Sequence, residues 1–210
     1  MRLVLASNNA KKLAELGVLF TPLGLELVAQ NTLGIDEAEE PHATFLENAL
    51  AKARHAAQRT GGAAIADDSG LCVDALEGGP GVRSAVFADW SRPALSDREA
   101  HRRAQDDANN RLLLERLAGV TDRRARYVST LVAVRAVDDP EPLVATGRWH
   151  GEILGAPQGA GGFGYDPLMH IPALGRTVAT LSTGAKNQHS HRAIAAGSML
   201  ALMREVWHLG

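Results

Sequence analysis

The feature that most limits how this chain folds is the run Ala64-Ile65-Ala66-Asp67-Asp68-Ser69-Gly70. Small apolar residues lead straight into two adjacent carboxylates, a hydroxyl and a glycine. The apolar part reads as a buried strand. The expectation is that it delivers its acids at the strand end, where the backbone turns away. Carboxylates so placed suit a hard divalent cation such as Mg²⁺, which prefers oxygen ligands. Asp, Ser and Gly are also turn formers, so the same residues read equally as a surface turn. The rest of the chain has to decide between the two.

Leu3-Val4-Leu5-Ala6 reads as a short buried strand, and Ala10-Lys11-Lys12-Leu13-Ala14-Glu15-Leu16 as a helix. Ser7, Asn8 and Asn9 between them include good N-caps, and a helix start leaves several backbone N–H groups open. Amide donors and the helix dipole favour a phosphate there, and Lys11 and Lys12 add charge; a plain capped surface helix is the alternative. Leu25 to Ala29 reads as a second strand, followed by the acidic loop Asp36-Glu37-Ala38-Glu39-Glu40-Pro41. Such a run is a solvated face or the source of an oxygen ligand. Thr44-Phe45-Leu46-Glu47 has the capping-box pattern. The helix it opens places Phe45, Leu46, Ala49, Leu50, Ala53, Ala56 and Ala57 on one apolar face, with Asn48, Lys52 and Arg54 off the stripe. Thr60-Gly61-Gly62 ends it.

Beyond the acidic run, Leu71 to Leu76 reads as a further strand and Gly78-Gly79-Pro80-Gly81 as a loop. Ser96-Asp97-Arg98-Glu99 is a second capping box, opening a charged helix to about Leu117. Ala125 to Val137 and Leu143 to Leu154 read as long strands either side of the turn Asp138-Asp139-Pro140-Glu141-Pro142, and Ser190 to Trp207 as the last helix. Helix–strand units followed by long antiparallel strands predict a mixed sheet and two lobes.

Gly159-Ala160-Gly161-Gly162-Phe163-Gly164 fits the dinucleotide pattern G-x-G-x-x-G in form. That reading needs a strand before it and a helix after it. The next residues, Tyr165-Asp166-Pro167-Leu168-Met169-His170-Ile171-Pro172, have no helical stripe. A loop that presents Phe163, Tyr165 and Asp166 to a ligand fits better, because aromatic faces stack on bases. Lys186, His191 and Arg192 stand around the last helix start, able to donate to a carbonyl or phosphate oxygen. His189 and His191 lack the further ligands a zinc site needs.

Composition removes several classes. A net charge of −2 gives no basic surplus for a nucleic-acid partner. The single cysteine, Cys72, makes no internal disulfide, so a reducing cytoplasm is the default. The apolar segment Ala193 to Met203 falls far short of a ~20-residue membrane span, and the N-terminus is too short an apolar run for a signal peptide.

Taken in order, Ser7-Asn8-Asn9-Ala10-Lys11-Lys12, Glu39-Glu40-Pro41 with Thr44 to Ala49, Ala66 to Leu71, Gly161 to Pro167 and Ser190-His191-Arg192 give the whole chain a resemblance to the non-standard purine nucleoside triphosphate pyrophosphatases, the inosine/xanthosine triphosphate (XTP/dITP) diphosphatase family. The resemblance implies an α/β fold, an elongated mixed β-sheet flanked by helices, with two lobes and a central cleft. It makes residues 1–210 one nucleotide pyrophosphatase domain and implies a homodimer. It implies Mg²⁺ held by Glu40 and Asp68, Asp68 also as proton acceptor, and Asp67 as a supporting acid. Ser7, Asn8, Asn9, Ala10, Lys11 and Lys12 match the phosphate loop, and Ser69 a substrate contact. Phe163, Gly164, Tyr165 and Asp166 match the nucleoside loop, Phe163 supplying the stacking ring. Lys186, His191 and Arg192 match the base contacts. Where the family commonly has a glutamate before that lysine, this chain has Ala185.

The implied reaction takes ITP, dITP or XTP to the monophosphate and pyrophosphate. Hypoxanthine and xanthine carry an acceptor oxygen at C6 where adenine carries a donor, so donors in the site reject adenine. A carboxylate with a pKa near ~4 is a weak base for water, and metal assistance compensates for it. A nucleotide-binding module without catalysis is the alternative from another class, which the intact Glu40, Asp67 and Asp68 set argues against. A Walker-type phosphate loop is not found.

Overall fold

The computed structural model describes residues 2–89 and 97–209. Its elements, in chain order, are β1 (Arg2–Leu5), α1 (Ala10–Phe20), β2 (Glu26–Ala29), α2 (Phe45–Thr60), β3 (Ala64–Val73), α3 (Arg98–Arg116), β4 (Arg124–Val134), β5 (Leu143–Ile153), β6 (Met169–Ile171), β7 (Arg176–Thr177), α4 (Thr183–His189) and α5 (His191–Val206). The strands form a seven-stranded sheet in the order β2-β1-β3-β4-β5-β6-β7. β1 runs parallel to β2 and β3, while β6 is antiparallel to both β5 and β7. The class is therefore α/β with a mixed sheet, as the order of helical and strand patterns predicts. The chain divides into two compact units, Met1–Ser69 with Val128–Arg148 and Asn187–Gly210, and Gly70–Tyr127 with Trp149–Lys186.

In the first unit the period of two along each strand sorts side chains onto two faces. Leu3, Leu5, Ile65, Leu131, Ala133, Leu143 and Ala145 pack with Leu16 and Phe20 of α1 and Ala195, Ala196, Met199 and Met203 of α5. Val4, Ala6, Ala64, Ala66, Val132 and Val134 pack against Ala49, Ala53, Ala56 and Ala57 of α2. The alanine face brings α2 close to the sheet. Thr44 caps α2 by accepting the Glu47 N–H at 3.2 Å, and Gly61, at φ 65°, closes it. The buried stripe of α2 differs from the apolar count: Leu46 is exposed, while Asn48 and Lys52 are buried.

The second unit is built on Leu71, Val73, Ala125, Tyr127, Trp149 and Ile153 from the sheet, Leu113 and Leu117 from α3, and Tyr165, Leu168, Met169, Ile171 and Val178. The glycine-rich segment is a loop followed by a turn and β6, with no helix, so the dinucleotide pattern has no structural counterpart. The short strands β6 and β7 and the helix α4 carry too few residues to show a period in the sequence. Asp97 caps α3 by accepting the Glu99 N–H at 3.0 Å; Ser96, the other end of the expected capping box, lies outside the described residues.

The chief departure concerns the acidic run. β3 does not end at Asp68; it continues through Ser69 and Gly70 to Val73 as one ten-residue strand. The expected separate strand over Leu71 to Leu76 is the tail of β3 followed by a 3-10 turn, Asp74–Leu76. Sheet pairing overrides the local turn preference of Asp, Ser and Gly. Among the described residues no helix is long and apolar enough to cross a membrane.

Gly147 of β5 sets how closely α5 lies on the sheet. A Cβ there would collide with the backbone oxygen of His191 and stand 2.6 Å from the nitrogen of Ala195. Backbone cannot rotate away as a side chain can. Gly147→Ala is therefore expected to destabilise the first unit by at least ~1–3 kcal/mol through overpacking, read as a lowered urea midpoint. An unchanged midpoint would show that α5 moves without cost.

Candidate active site

Because β3 is uninterrupted, its two adjacent acids point to opposite faces of the sheet. Asp67 shares the side of Ile65 and meets α1 and α5. Asp68 shares the side of Ala66 and meets α2. Each has its own set of partners.

Asp67 is 1% exposed and sits among cations and hydroxyls. Lys12 Nζ lies 2.8 Å and Arg192 Nε 3.2 Å from its Oδ2. Ser129 donates to Oδ1 at 2.6 Å and Ser69 to Oδ2 at 3.1 Å. Arg192 spreads its fork further, from Nη1 to Glu15 at 2.8 Å and from Nη2 to Ser69 Oγ at 3.1 Å. Burial alone would push the Asp67 carboxyl up. The charges of Lys12 and Arg192, with hydrogen bonds from Lys12 and Ser129, overcome this and hold it well below the usual carboxylate range. Burial, only partly offset by Asp67, in turn lowers Lys12 from its ordinary value. Asp67 is thus a fixed anion that orders two cations.

Asp68 stands in a different setting. Its Oδ1 accepts from Lys52 Nζ at 2.9 Å, and Asn48 Nδ2 reaches its Oδ2 at 3.4 Å. Lys52 Nζ also lies 3.2 Å from Glu40 Oε1, so one ammonium is shared by two carboxylates. Burial pushes the Asp68 carboxyl up; the Lys52 charge and hydrogen bond oppose this, and the negative charge of Glu40 adds to the rise. Burial disfavours the Lys52 charge, but Asp68 and Glu40 together carry it above its ordinary value. Asn48 clamps the acidic loop as well, accepting the His42 N–H at 3.0 Å and donating to its carbonyl at 3.2 Å.

Among the described residues no three His, Cys, Asp or Glu side chains gather as a metal cage. Mg²⁺ does not require one, since it commonly takes one or two carboxylates and completes its shell with water and substrate phosphate. Glu40 and Asp68, which already share a single cation, are hard oxygen donors and fit that group.

At the start of α1, where a phosphate loop is expected, the backbone amides are engaged. Asn9 caps α1, accepting the N–H groups of Lys11 at 3.1 Å and Lys12 at 3.3 Å. Ser7 Oγ accepts the N–H of Asn9 at 3.2 Å. The N–H groups of Asn9, Lys11 and Lys12, expected to be open for an anion, are thus met by side chains. Asn8 is half-buried; Ala10 begins α1, and its side chain lies outside the described ones.

The second unit holds the aromatic loop. Asp166 is 4% exposed and works as a hub. Its Oδ2 accepts from Lys186 Nζ at 2.8 Å and from the Phe163 N–H at 3.1 Å, and its Oδ1 from the Tyr127 hydroxyl at 3.0 Å. Lys186 lies 4.7 Å over the Phe163 ring, within cation–π range. Tyr165 is buried and donates to the Ser84 carbonyl at 2.9 Å. Gly164 is gripped by α3, its N–H going to Asp106 at 2.8 Å and its carbonyl to Asn110 at 2.9 Å.

The structure thus gathers Lys12, Asp67, Ser69 and Arg192 into one cluster and Glu40 and Asp68 into another, both in the first unit. Phe163, Asp166 and Lys186 form a third cluster in the second unit. His191 is buried at the first position of α5. Tyr165 and Asp166 face inward as supports. Lys52 and Asn48 join Asp68, Glu15 joins Arg192 and Ser129 joins Asp67, although none of the four reads as a site residue in the sequence. The signal for Asn48 and Lys52 was available: they lie four residues apart, in step with Ala56, on the face that packs.

The sequence profile of the Ham1 family matches residues 3–202. A protein of Leptothrix cholodnii named dITP/XTP pyrophosphatase is 66% identical over 212 residues, covering 100% of both chains. One of the same name from Methylibium petroleiphilum is 68% identical over 207 residues, covering 99% of each. The solved structure of a HAM1 protein from Coxiella burnetii superimposes with a TM-score of 0.87 at 37% identity, covering 98% of this chain and 100% of that one.

Removing the Asp67 charge leaves Lys12 and Arg192 buried without their shared anion. Asp67→Asn is expected to cost ~3–5 kcal/mol, the usual penalty for breaking a buried ion pair. The sign with pH comes from the lowered carboxyl. Its stabilisation is complete above the unfolded value of about 3.9 and is lost as pH falls toward the folded one. Urea unfolding should show a constant gap between wild type and variant from about pH 7 to 5, narrowing below about 4. A gap that widens in acid would contradict the assignment.

Proposed function

This chain belongs to the Ham1 family, and from that premise we propose that it hydrolyses the non-standard purine nucleoside triphosphates ITP, dITP and XTP to the monophosphate and pyrophosphate, with Mg²⁺, clearing them from the nucleotide pool. The observation that carries this reading is the division of labour between the paired acids. Asp67 is locked as a structural anion, while Asp68 has a raised carboxyl and an exposed carboxylate neighbour in Glu40. The names of the relatives support the substrate class.

On this reading Asp68 accepts the proton of the attacking water. The water oxygen bonds to the α-phosphorus, and the α–β anhydride breaks to release pyrophosphate. A raised carboxyl makes Asp68 a better base than an ordinary aspartate. Asp68 Oδ1 is steadied by Lys52, leaving Oδ2, with its longer contact to Asn48, as the acceptor. Glu40 and Asp68 would hold Mg²⁺, which supplies charge neutralisation on the phosphates and an easier proton loss from water. Lys11 and Lys12 add positive charge at the start of α1, and Ser7, Asn8, Asn9 and Ser69 contribute polar contacts.

Phe163 offers its ring to the purine, and Lys186, beside it, donates to the oxygen at C6. His191 and Arg192 are kept as further donors to the base. An adenine amino group there would face donors, and a site built to hydrogen-bond its substrate rejects such an analogue strongly. Ala185 does not leave Lys186 unsupported, because Asp166 holds it at 2.8 Å. A homodimer in the cytoplasm completes the proposal.

The deciding experiment is a panel of ITP, dITP, XTP, ATP and GTP with Mg²⁺, separating orthophosphate from pyrophosphate. Pyrophosphate from the first three is expected; orthophosphate alone would overturn the reading. Asp68→Asn should lower kcat by at least ~10²-fold, the least expected of a lost general base, with its circular dichroism unchanged. Phe163→Ala should raise KM by ~5- to 150-fold, matching a stacking energy of ~1–3 kcal/mol.

A further inference from the structure

We propose that Asp106 and Asn110 of α3 are positioning residues for base binding, acting through the backbone of Gly164. This rests on reading Phe163 as the stacking ring. The two side chains lie one helical turn apart, on one face of α3. Asp106 Oδ2 accepts the Gly164 N–H at 2.8 Å, and Asn110 Nδ2 donates to the Gly164 carbonyl at 2.9 Å. One helix face therefore holds both backbone polar groups of a single residue more than fifty positions away in the chain.

The grip falls where it controls the ring. Phe163 has its own N–H on Asp166 Oδ2, and the next peptide is held by Asp106. The Phe163 Cα is thus fixed from both sides. Gly164 adopts φ +60°, a conformation open to glycine, which the clamp selects. Upstream, the Gly161 N–H is held by the Ala179 carbonyl at 3.2 Å, and the Phe163 carbonyl accepts the Asp166 N–H at 3.3 Å, so the side-chain grip on Gly164 completes the set of restraints around the ring. Asn109 extends the same device. It accepts the Ala88 N–H at 2.9 Å and donates to the carbonyls of Ser84 and Ala85, each at 3.2 Å. Tyr165, two residues after the ring, donates to that same Ser84 carbonyl.

A ring ordered before binding spares the substrate the entropy of ordering it. That gain is shared by the ground and transition states, so it acts on KM and leaves kcat alone. Asp106→Ala and Asn110→Ala should each raise KM for dITP about tenfold, the worth of one lost hydrogen bond, with kcat held within about twofold. Asp106→Asn keeps an acceptor oxygen for the Gly164 N–H and should restore KM. Inorganic tripolyphosphate has no base and should inhibit wild type and variants equally. The Gly164 amide should exchange with solvent faster in Asp106→Ala, with the amides of β1 unchanged. An unaltered KM, a fall in kcat in place of a rise in KM, equally weakened inhibition by tripolyphosphate, or an unaltered Gly164 exchange rate would each overturn the proposal. Failure of the wild type to turn over any of the triphosphates would remove the functional reading instead, and the Gly164 exchange rate would still decide the clamp.

Discussion

Side chains alternate between the two faces of a β-strand, and the two charged clusters of the first unit depend on that alternation reaching through Asp67 and Asp68 without a break. Two carboxylates held on one side would repel, and one would be driven to hold a proton. On opposite sides of β3 each is answered separately. The face covered by α1 and α5 brings Lys12 and Arg192 to Asp67. The face covered by α2 brings Lys52 to Asp68. A turn at this point, which the residues Asp-Asp-Ser-Gly also permit, would not assign the acids to different helices.

The cations are not decoration on that arrangement. Burial disfavours the charged form of every member, carboxylate or ammonium, so the clusters persist only because each charge has partners at hydrogen-bond distance. Asp67 has four, and its ionised form is the stable one by a wide margin. Asp68 is differently placed. Burial raises its carboxyl, and Lys52, shared with Glu40, opposes that rise without cancelling it, while the Glu40 charge adds to it. The protein thereby holds two aspartates, adjacent in sequence, whose carboxyls are shifted in opposite directions. Packing makes this geometry attainable: the alanines of α2 and Gly147 beneath α5 let the helices approach closely enough for Lys52 and Arg192 to reach the strand.

Much of this was legible in the residues. The apolar run into Asp67, the cap at Asn9, the box at Thr44 and the isolated ring of Phe163 each act locally, through rules that need no knowledge of the rest of the fold. What escaped the sequence involves distance. Ser69 and Gly70 favour a turn on their own, and only pairing within the sheet keeps them extended. Lys52 and Asn48 fall outside an apolar stripe because the stripe is counted by hydrophobicity, whereas the buried face of α2 is defined by what it meets, here a carboxylate. The helix start at α1 promised open amides. The same Ser7 and Asn9 that make it a good start are close enough to take those amides themselves. Asp166 reads as a ligand contact because it stands in a glycine-rich loop; the sequence does not show that its carboxylate also ties Tyr127, Phe163 and Lys186 together.

The two units solve one physical problem in different ways. The first presents charge, and charge is set by rigid elements: side chains on strands and helices, locked by opposite charges. The second presents a ring from a loop that glycine makes pliable. A pliable loop positions nothing unless its backbone groups are occupied, since each open peptide is free to turn toward water. Here the occupants are side chains rather than a strand partner: Asp166 on the N–H of Phe163, Asp106 and Asn110 on Gly164. This explains why so many polar side chains of the second unit point at backbone. Glycine supplies the conformation, and the acids and amides around it remove the freedom that glycine also brings. A ring held this way is fixed together with Lys186, which the same Asp166 carboxylate holds at 2.8 Å and which lies 4.7 Å over the ring.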